Sequence, residues 1–312
     1  MGYLFGIDGG GTRTTAWLAD GRERVLARVE VGASNPVKVG FPAAQKELLR
    51  AYRRACSQAR IRPAILDAIC AGLAGSDSAR VHARLLDWLR KSIPAGAYAL
   101  TTDADIALSA GVGEGAGIIV IAGTGSIAYG RNQRGKTLRC GGWGNLFDDA
   151  GSGYDLGRKA VGCALRALDG RGRATCLTRA LCRELGVGRV SEVVALPLSP
   201  QEIAALFAVV LRAATDGDRV ARRILNEAAC DLAVLAGTLI TGFRWKGRAS
   251  RVLCAGGVFQ SCSMIRRKFA RHVRTLAPKA RVSLLRRQPV EGALFIAQRL
   301  AESRQVASSA EP

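Results

Sequence analysis

A run of three glycines near the start of the chain, in the segment GIDGGGTRT that begins at Gly6, most constrains the fold. Apolar residues lie on both sides of it, so the pattern predicts a β-hairpin rather than a strand that leads into a helix. Gly10 and Gly11 have no Cβ and let backbone amides approach an anion closely, and Thr12 adds a hydroxyl donor. Asp8 supplies a carboxylate suited to Mg²⁺. The segment predicts either a phosphate-binding hairpin or an ordinary tight turn.

The same segment argues against two familiar phosphate-binding loops. The chain has no GxxxxGK[ST] sequence, so it does not contain a P-loop. Residues typical of a strand, not an amphipathic helix, follow the glycines, which argues against a Rossmann dinucleotide site.

The length of 312 residues predicts about two domains. No apolar run reaches the roughly 20 residues of a membrane span, so no membrane partner is expected. The N-terminal residues lack the features of a signal peptide. Nine cysteines without a CxxC pair are typical of reduced, mostly buried thiols, so the predicted localisation is cytoplasmic. His82 and His272 lie far apart in the sequence, which argues against a Cys/His metal site.

The formal net charge of +21 is the feature that most favours a nucleic-acid partner. However, the basic residues are scattered, aromatic residues are few, and no recognisable nucleic-acid motif accompanies the charge. We therefore expect no specific nucleic-acid partner. The positive field can also attract an anionic small molecule such as ATP.

Strand and helix signals alternate along both halves of the chain. Each half contains a strand, a Gly/Thr turn and a second strand, at 3–7 and 13–19 and again at 117–122 and 127–131, which indicates a weak internal duplication. The other predicted strands are 23–31, 64–71, 98–102, 136–140, 251–255 and 281–285. The predicted helices are 42–58, which starts at Pro42, then 78–91 capped by Asp77, 153–168, 174–185, 201–214, 218–243, 260–276 and 291–303. The pattern predicts an α/β fold with two lobes and a cleft between them.

Three glycine-rich strand ends, 9–12, 123–126 and 255–257, could meet at one nucleotide. The first two are predicted to face phosphates. At the third, Gly256 and Gly257 would let an adenosine approach the backbone closely.

Asp103 follows a short predicted strand and is the candidate general base. A carboxylate at a strand end beside a phosphate site suits removal of a proton from a substrate hydroxyl that attacks a γ-phosphoryl group. The alternative is that Asp103 only caps the next helix. Asp105 is the rival carboxylate, in the first helical turn.

The densest cluster of unusual residues is GGWGN, from Gly141 to Asn145, followed by Asp148-Asp149-Ala150-Gly151-Ser152. Trp143 could stack on the face of a sugar while Asn145 and Asp149 bond ring hydroxyls, or it could be a core tryptophan between turns. Asn35, in a turn before Pro36, could serve the same site or form a plain turn.

Taken together, the segments GIDGGGTRT, ASN, TTDAD, IAGTGS, CGGWGN with DDAGSG, and CAGGVF resemble the BadF/BadG/BcrA/BcrD ATPase family. Within that family they are most similar to N-acetylglucosamine kinases of the sugar kinase/Hsp70/actin superfamily. The resemblance implies an α/β fold with two ribonuclease-H-like (actin-like ATPase) lobes and an interlobe cleft. It implies a sugar- and phosphate-binding lobe at 1–113 plus 290–312, and a nucleotide-binding lobe at 114–289. The helix from about Val290 would pack on the first lobe.

The resemblance also implies a role for individual residues. Asp103 matches the catalytic base that activates the sugar 6-hydroxyl. Thr12 and Thr124 match phosphate contacts, Gly256 and Gly257 the adenosine site, and Ala214 a further nucleotide contact. The residues implied to hold the sugar are Asn35, Asp103, Ser126, Gly142, Trp143, Gly144, Asn145 and Asp149.

The chain departs from the family pattern beside the implied sugar site. The family reads GDEGS where this chain has Asp148 and Ala150 in place of Gly and Glu, and Ile127 replaces an Asn. The expected activity is ATP- and Mg²⁺-dependent phosphorylation of an amino sugar, with N-acetylglucosamine as the first candidate, by a homodimer. Glucosamine and N-acetylmuramate remain open as substrates. The other classes are an iron–sulfur dehydratase activator, which would use Cys140 with Cys163 or Cys176, and a sugar-responsive regulator that binds nucleic acid.

Overall fold

A computed structural model describes residues 2–62 and 65–309. The chain divides into two compact units. The first consists of Met1–Gly115 and Leu285–Pro312, and the second of Ala116–Leu284.

The first unit is built around a mixed sheet with the strand order β3-β2-β1-β4-β5. Its strands are β1 (Tyr3–Gly9), β2 (Thr14–Asp20), β3 (Val25–Val31), β4 (Leu66–Leu73) and β5 (Ala95–Thr101). Its helices are α1 (Pro36–Val39), α2 (Phe41–Gln58), α3 (Ala79–Ser92), α4 (Asp103–Val112) and α12 (Pro289–Ser309). β1, β4 and β5 run parallel, while β1, β2 and β3 form an antiparallel meander. The carboxyl ends of β1, β4 and β5 therefore lie at one edge of the sheet.

Helices cover both faces of this sheet, because its central strands are apolar on both sides. Phe5, Ile7 and Leu18 pack with α2 on one face. On the other face, Leu4 packs against α12 and α4. Small residues allow this close approach, since a Cβ at Gly292 would overlap the backbone of Ile106. The expected packing of the C-terminal helix on the N-terminal strands is confirmed.

The second unit repeats the same strand plan, with the order β8-β7-β6-β9-β10. Its strands are β6 (Gly117–Ala122), β7 (Ser126–Arg131), β8 (Thr137–Gly141), β9 (Ser250–Ala255) and β10 (Ala280–Leu284). Its helices are α5 (Gly153–Leu168), α6 (Leu177–Leu185), α7 (Pro200–Ala205), α8 (Phe207–Thr215), α9 (Arg219–Gly242), α10 (Gly257–Ser261) and α11 (Ser263–Leu276), with a 3₁₀ helix at Val190–Ala195. β6, β9 and β10 are parallel, and β7 and β8 are antiparallel additions. The predicted duplication is confirmed at the level of topology.

Two predicted helices are each divided in the structure. The helix predicted over 260–276 is interrupted at Cys262, whose backbone is extended and whose Sγ accepts a hydrogen bond from the N–H of Ile265. The helix predicted over 201–214 is divided at Leu206. The one-turn helix α1 and the 3₁₀ helix were not predicted, because pieces this short leave little periodicity in a sequence.

Several boundary predictions also differ from the structure, such as the strand predicted over 98–102, which spans Ala95–Thr101, and the helix predicted over 291–303, which spans Pro289–Ser309. Ser78, not Asp77, caps α3, because its side chain accepts the N–H of Val81. The strand predicted from Ala64 begins in the structure at Leu66, and Ala64 itself lies outside the described residues.

The helix α9 is long and apolar enough to cross a membrane by length and composition alone. Most of its apolar window is buried inside the second unit, as is typical of a core helix. In the described part of the chain, no other helix meets that criterion.

Candidate active site

The hairpin of the first unit forms as predicted. Gly9 pairs with Thr14, so residues 10–13 form the turn, which the N–H of Gly10 closes by donating to the carbonyl of Arg13 at 2.9 Å. Thr12 is exposed at the tip. A Cβ built on Gly11 would lie 3.5 Å from Nζ of Lys38, so this exposed ammonium lies beside the turn. The turn therefore combines unhindered backbone, a hydroxyl and a cation, which suits an anion.

Asn35 links this hairpin to α1. The N–H groups of Ser34 and Asn35 donate to the carbonyl of Gly10 at 3.1 and 3.2 Å. The Oδ1 of Asn35 accepts the N–H groups of Val37 and Lys38 and so caps α1. Asn35 thus has a structural role as a helix cap. Among the described residues, its side-chain amide nitrogen forms no hydrogen bond.

Asp8 and Asp103 form an acidic pair at the carboxyl edge of the first sheet. Burial, and secondarily the charge of Asp103, raises the pKa of Asp8 to about 7, although Arg13 opposes the shift. Two carboxyl groups that repel each other beside a phosphate-type turn fit a divalent cation, which prefers oxygen ligands and would neutralise the pair. No group of three His, Cys, Asp or Glu side chains suited to a metal occurs among the described residues, so water and phosphate oxygens would complete the shell.

The structure separates the roles of the two acids that follow β5. Thr102, not Asp103, is the N-cap of α4, because its hydroxyl accepts the N–H of Asp105 at 3.1 Å. The Asp105 carboxylate accepts the Thr101 hydroxyl at 2.8 Å. Asp103 is the first residue of the helix and is half-buried. Thr102 therefore supplies the N-cap, while Oδ1 of Asp103 accepts the N–H of the adjacent Ala104 at 3.0 Å.

The hairpin of the second unit, formed by β6 and β7, is connected by hydrogen bonds to the turn at residues 149–152. Asp149 Oδ1 accepts the N–H of Ser126 at 3.0 Å, and the Ser126 hydroxyl donates to the carbonyl of Ala150 at 2.8 Å. Burial is the main cause that raises the pKa of Asp149. Thr124 remains exposed at the tip. Ser126 is only 4% exposed, and its two hydrogen bonds, to Asp149 and Ala150, connect the hairpin to the turn at 149–152.

Arg139 contacts three successive residues of the loop at 141–145, here called the tryptophan loop. Arg139 donates to the carbonyls of Gly141 and Gly142, at 3.2 and 2.7 Å, and its guanidinium lies 4.4 Å from the centre of the Trp143 ring. Trp143 is 71% exposed, so the core alternative is wrong. Gly142 and Gly144 have φ of 74° and 96°, a conformation that favours glycine.

The three residues that depart from the family pattern adjoin this loop. A Cβ built on Gly142 would lie 2.9 Å from Cδ1 of Ile127, so the isoleucine lies directly under the loop. Asp148 Oδ2 accepts the N–H of Trp143 at a long 3.4 Å. The side chain of Ala150 takes no part in the hydrogen bonds of its turn, which use its carbonyl.

An ion pair between the buried Asp155 and the half-buried Lys159 supports the turn at 149–152. Asp155 Oδ2 accepts the N–H of Gly151 at 3.0 Å and lies 2.7 Å from Nζ of Lys159, which also contacts Asp231 at 3.1 Å. Burial alone would raise the pKa of Asp155, but hydrogen bonds from Lys159 and Gly151 lower it. The network fixes the backbone that presents Asp149.

The predicted adenosine residues follow β9. Gly256 has φ of 90° and is the N-cap residue of α10, and a Cβ there would overlap the Ala122 carbonyl at the end of β6. Gly257, the next residue, has nothing within 4 Å of a built Cβ. Ala214 is buried in α8, and its carbonyl accepts Nε of Arg222 at 2.9 Å. The structure therefore gives the two glycines different constraints.

Replacing Gly256 with alanine is expected to destabilise the protein by about 1–3 kcal/mol, because it combines a positive φ with backbone overlap. Gly257→Ala is the matched control, and it should leave the melting temperature within about a degree while weakening ATP binding if Gly257 contacts the adenosine. Thermal melts and ATP titrations of both variants provide the measurement. Equal melting temperatures for the two variants would contradict the structural distinction.

Sequence reasoning did not identify Lys38, Arg139 or Asp155. Each acts through a contact with residues that are not its neighbours in the sequence or that the sequence pattern does not specify. Lys38 on α1 approaches the hairpin, Arg139 on β8 contacts the loop that follows, and Asp155 pairs with Lys159. Only the spacing of Asp155 and Lys159, four residues apart on one helix face, was a usable signal.

The cysteines fit the expectation of mostly buried thiols. Cys163 is buried, Cys140 is half-buried and Cys176 is exposed, and none of the nine is in a disulfide in the structure.

The chain is similar to known proteins over nearly its whole length. The model of the BadF/BadG/BcrA/BcrD ATPase family matches residues 5–297. An N-acetylmuramic acid/N-acetylglucosamine kinase of Clostridium acetobutylicum is 32% identical over 302 residues, or 96% of this chain and 99% of the relative. An N-acetyl-D-glucosamine kinase of Dictyostelium discoideum is 31% identical over 76% of this chain and 79% of the relative.

A solved structure from Chromobacterium violaceum, provisionally named as an N-acetylglucosamine kinase, superimposes with a TM-score of 0.79 at 28% identity, covering 95% of this chain and 99% of that one. The two units of this chain have the actin-like ATPase fold. By the match to the family model and the extent of these similarities, the chain belongs to the BadF/BadG/BcrA/BcrD ATPase family.

Proposed function

We propose that the protein phosphorylates an amino sugar with ATP, and that N-acetylglucosamine is converted to N-acetylglucosamine 6-phosphate. The observation that carries the proposal is the position of Asp103. It lies at the carboxyl end of β5, in the same unit as the glycine hairpin, with the capping role taken by Thr102. The names of the relatives, which are amino-sugar kinases, support the same reaction class.

In the proposed mechanism, Asp103 accepts the proton of the sugar 6-hydroxyl while that oxygen attacks the γ-phosphorus of ATP, and ADP leaves. The turns with Gly10, Gly11 and Thr12, and with Thr124, donate hydrogen bonds to the phosphates. Asp8 would hold Mg²⁺, which would supply neutralisation of the negative charge on the phosphates. Lys38 adds a cation beside the first turn.

The proposed sugar contacts are Asn35, Asp103, Ser126, Gly142, Trp143, Gly144, Asn145 and Asp149. The adenosine contacts are Gly256 and Gly257, with Ala214 as a further contact. We also propose that residues 1–113 with 290–312 form a sugar- and phosphate-binding lobe, and that residues 114–289 form a nucleotide-binding lobe that contributes sugar contacts such as Trp143. We further propose a cytoplasmic homodimer.

The test is ADP release in the presence of ATP and Mg²⁺ with N-acetylglucosamine, glucosamine, N-acetylmuramate, N-acetylmannosamine and glucose. We expect N-acetylglucosamine to be preferred, and a strong preference for another amino sugar would identify what Ile127, Asp148 and Ala150 select. The absence of stimulation by every sugar would contradict the kinase proposal. An iron–sulfur activator is the remaining alternative, and a colourless protein after anaerobic purification would exclude it.

Replacing Trp143 with alanine is expected to raise the KM for the sugar about tenfold, which corresponds to about 1.4 kcal/mol. The reason is that the sugar would lose the exposed ring on which it stacks. The KM for ATP should not change, and Trp143→Phe should retain most of the affinity. Phe147→Ala is the matched control, since Phe147 is also exposed, on the same loop, and has no assigned role. Steady-state kinetics with each substrate varied would provide the measurement, and an equal effect of both alanine variants would contradict a stacking role.

A further inference from the structure

One end of the second sheet carries a cluster of exposed basic side chains, here called the basic end. Its members are Arg134, Lys136, Arg244, Lys246, Arg248, Arg251, Lys279 and Arg281. They come from three separate segments of the chain, so the cluster is not visible as a run in the sequence.

Strand direction brings the three segments together. The segments 243–249 and 277–279 lead into the parallel neighbours β9 and β10, so they lie at the amino ends of those strands. The turn at 132–136 follows β7, whose last residue, Arg131, pairs with Gly117 at the start of β6, which is parallel to β9. The basic end is therefore one strand length, about 20 Å, from the turns of Thr124 and Gly256 at the opposite end.

No acidic side chain neutralises the basic end. The chain has no Asp or Glu between Glu114 and Asp148, and none between Asp231 and Glu291. Glu114, which precedes β6, is paired with Arg299. Among the described residues, none of the eight basic side chains forms an ion pair, in contrast to basic residues elsewhere such as Arg158 and Arg212.

Two of these arginines are held side by side. Arg251 and Arg281 occupy paired positions on adjacent parallel strands, where backbones are about 4.8 Å apart. Both side chains are exposed on the same face of the sheet. Their repulsion is a cost that a bound anion would remove.

We propose that the basic end binds the phosphate backbone of nucleic acid without sequence preference. The large apolar side chains of these segments, Phe243 and Trp245, are buried and cannot insert into a membrane or stack on bases. Electrostatic attraction without an apolar anchor gives weak membrane binding, whereas nucleic acid releases condensed counterions when basic side chains contact its phosphates. Arginine, the majority residue here, suits phosphate geometry.

The test measures binding of the full-length chain to a fluorescently labelled DNA duplex of arbitrary sequence, by anisotropy at salt concentrations from about 50 to 200 mM. We expect the Kd to rise steeply with salt and to be the same for unrelated sequences. The combined variant Arg248→Gln, Arg251→Gln, Lys279→Gln and Arg281→Gln should raise the Kd at least tenfold. It should also reduce the salt slope by about 3–4, at roughly 0.9 per lost phosphate contact.

The matched control carries the same change in net charge in the first unit, as Arg22→Gln, Arg24→Gln, Lys46→Gln and Arg53→Gln, all at exposed positions. It should change the Kd less than twofold, and both variants should retain the parental melting temperature. Equal losses in the two variants would show a dependence on net charge alone and would overturn the proposal. Binding to phosphatidylserine vesicles but not to the duplex would overturn it in favour of a membrane, and so would the absence of duplex binding at the lowest salt.

Discussion

Replacing Asp103 with asparagine is expected to lower kcat by about 10²–10⁴-fold, the usual range for loss of a general base. The amide cannot accept the proton of the attacking hydroxyl, yet it has nearly the same shape. The KM for ATP and the melting temperature should therefore stay near their parental values, since Thr102 and not Asp103 caps α4. Steady-state ADP release and thermal melts provide the two measurements.

Asp105→Asn is the matched control for this prediction. It removes a carboxylate from the same helical turn, but that carboxylate accepts the Thr101 hydroxyl and is assigned a structural role. We expect a loss of stability with kcat reduced less than tenfold. A larger fall in kcat for Asp105→Asn than for Asp103→Asn would transfer the role of base to Asp105.

Replacing Asp8 with asparagine is expected to stabilise the metal-free protein while it removes activity. The pKa of Asp8 is about 7 in the folded state, against 3.8 as the ordinary value, so the folded state binds this proton more tightly than the unfolded state. Stability is therefore lost as the pH rises from about 4 to about 7, where the carboxylate becomes charged in a partly desolvated position. The asparagine variant avoids that loss.

The gain should be about 1–2 kcal/mol at pH 8, less than the full shift would give because Asp8 is partly solvated, and it should vanish below about pH 4. Thermal melts across this pH range without Mg²⁺ would measure it. Activity with Mg²⁺ should fall at least about 100-fold, since charge stabilisation by a metal is worth several kcal/mol. A variant that is less stable than the parent at pH 8 would contradict the assignment of a raised pKa.

Much of the fold could be predicted because it depends on local patterns. Residues close together in the sequence determine the hairpin at Gly9–Thr14, the apolar strand from Gly117 and the repeated order of strand, turn and strand. The structure confirms all three. The residues of GIDGGGTRT and GGWGN also carried the family resemblance, which the match over residues 5–297 confirms.

Predictions of element boundaries failed where neighbouring residues offered similar alternatives. Asp77 and Ser78 are both residue types favoured as caps, but it is the Ser78 side chain that accepts the N–H of Val81 in α3. The periodicity across Cys262 continues through a residue whose backbone is extended, so the break left no signal. Trp143 could equally have been core or surface until the position of Arg139 was known.

By itself, the sequence determined the α/β class, the two glycine hairpins, the candidate base and the family, because strand periodicity and turn chemistry act between residues close in the chain. Only the tertiary structure decided that burial raises the pKa of Asp8 to about 7, that Lys159 pairs with both Asp155 and Asp231, and that scattered arginines meet at the basic end. These properties depend on desolvation and on charge separation in space. Both are set by strand order and register between segments far apart in the sequence.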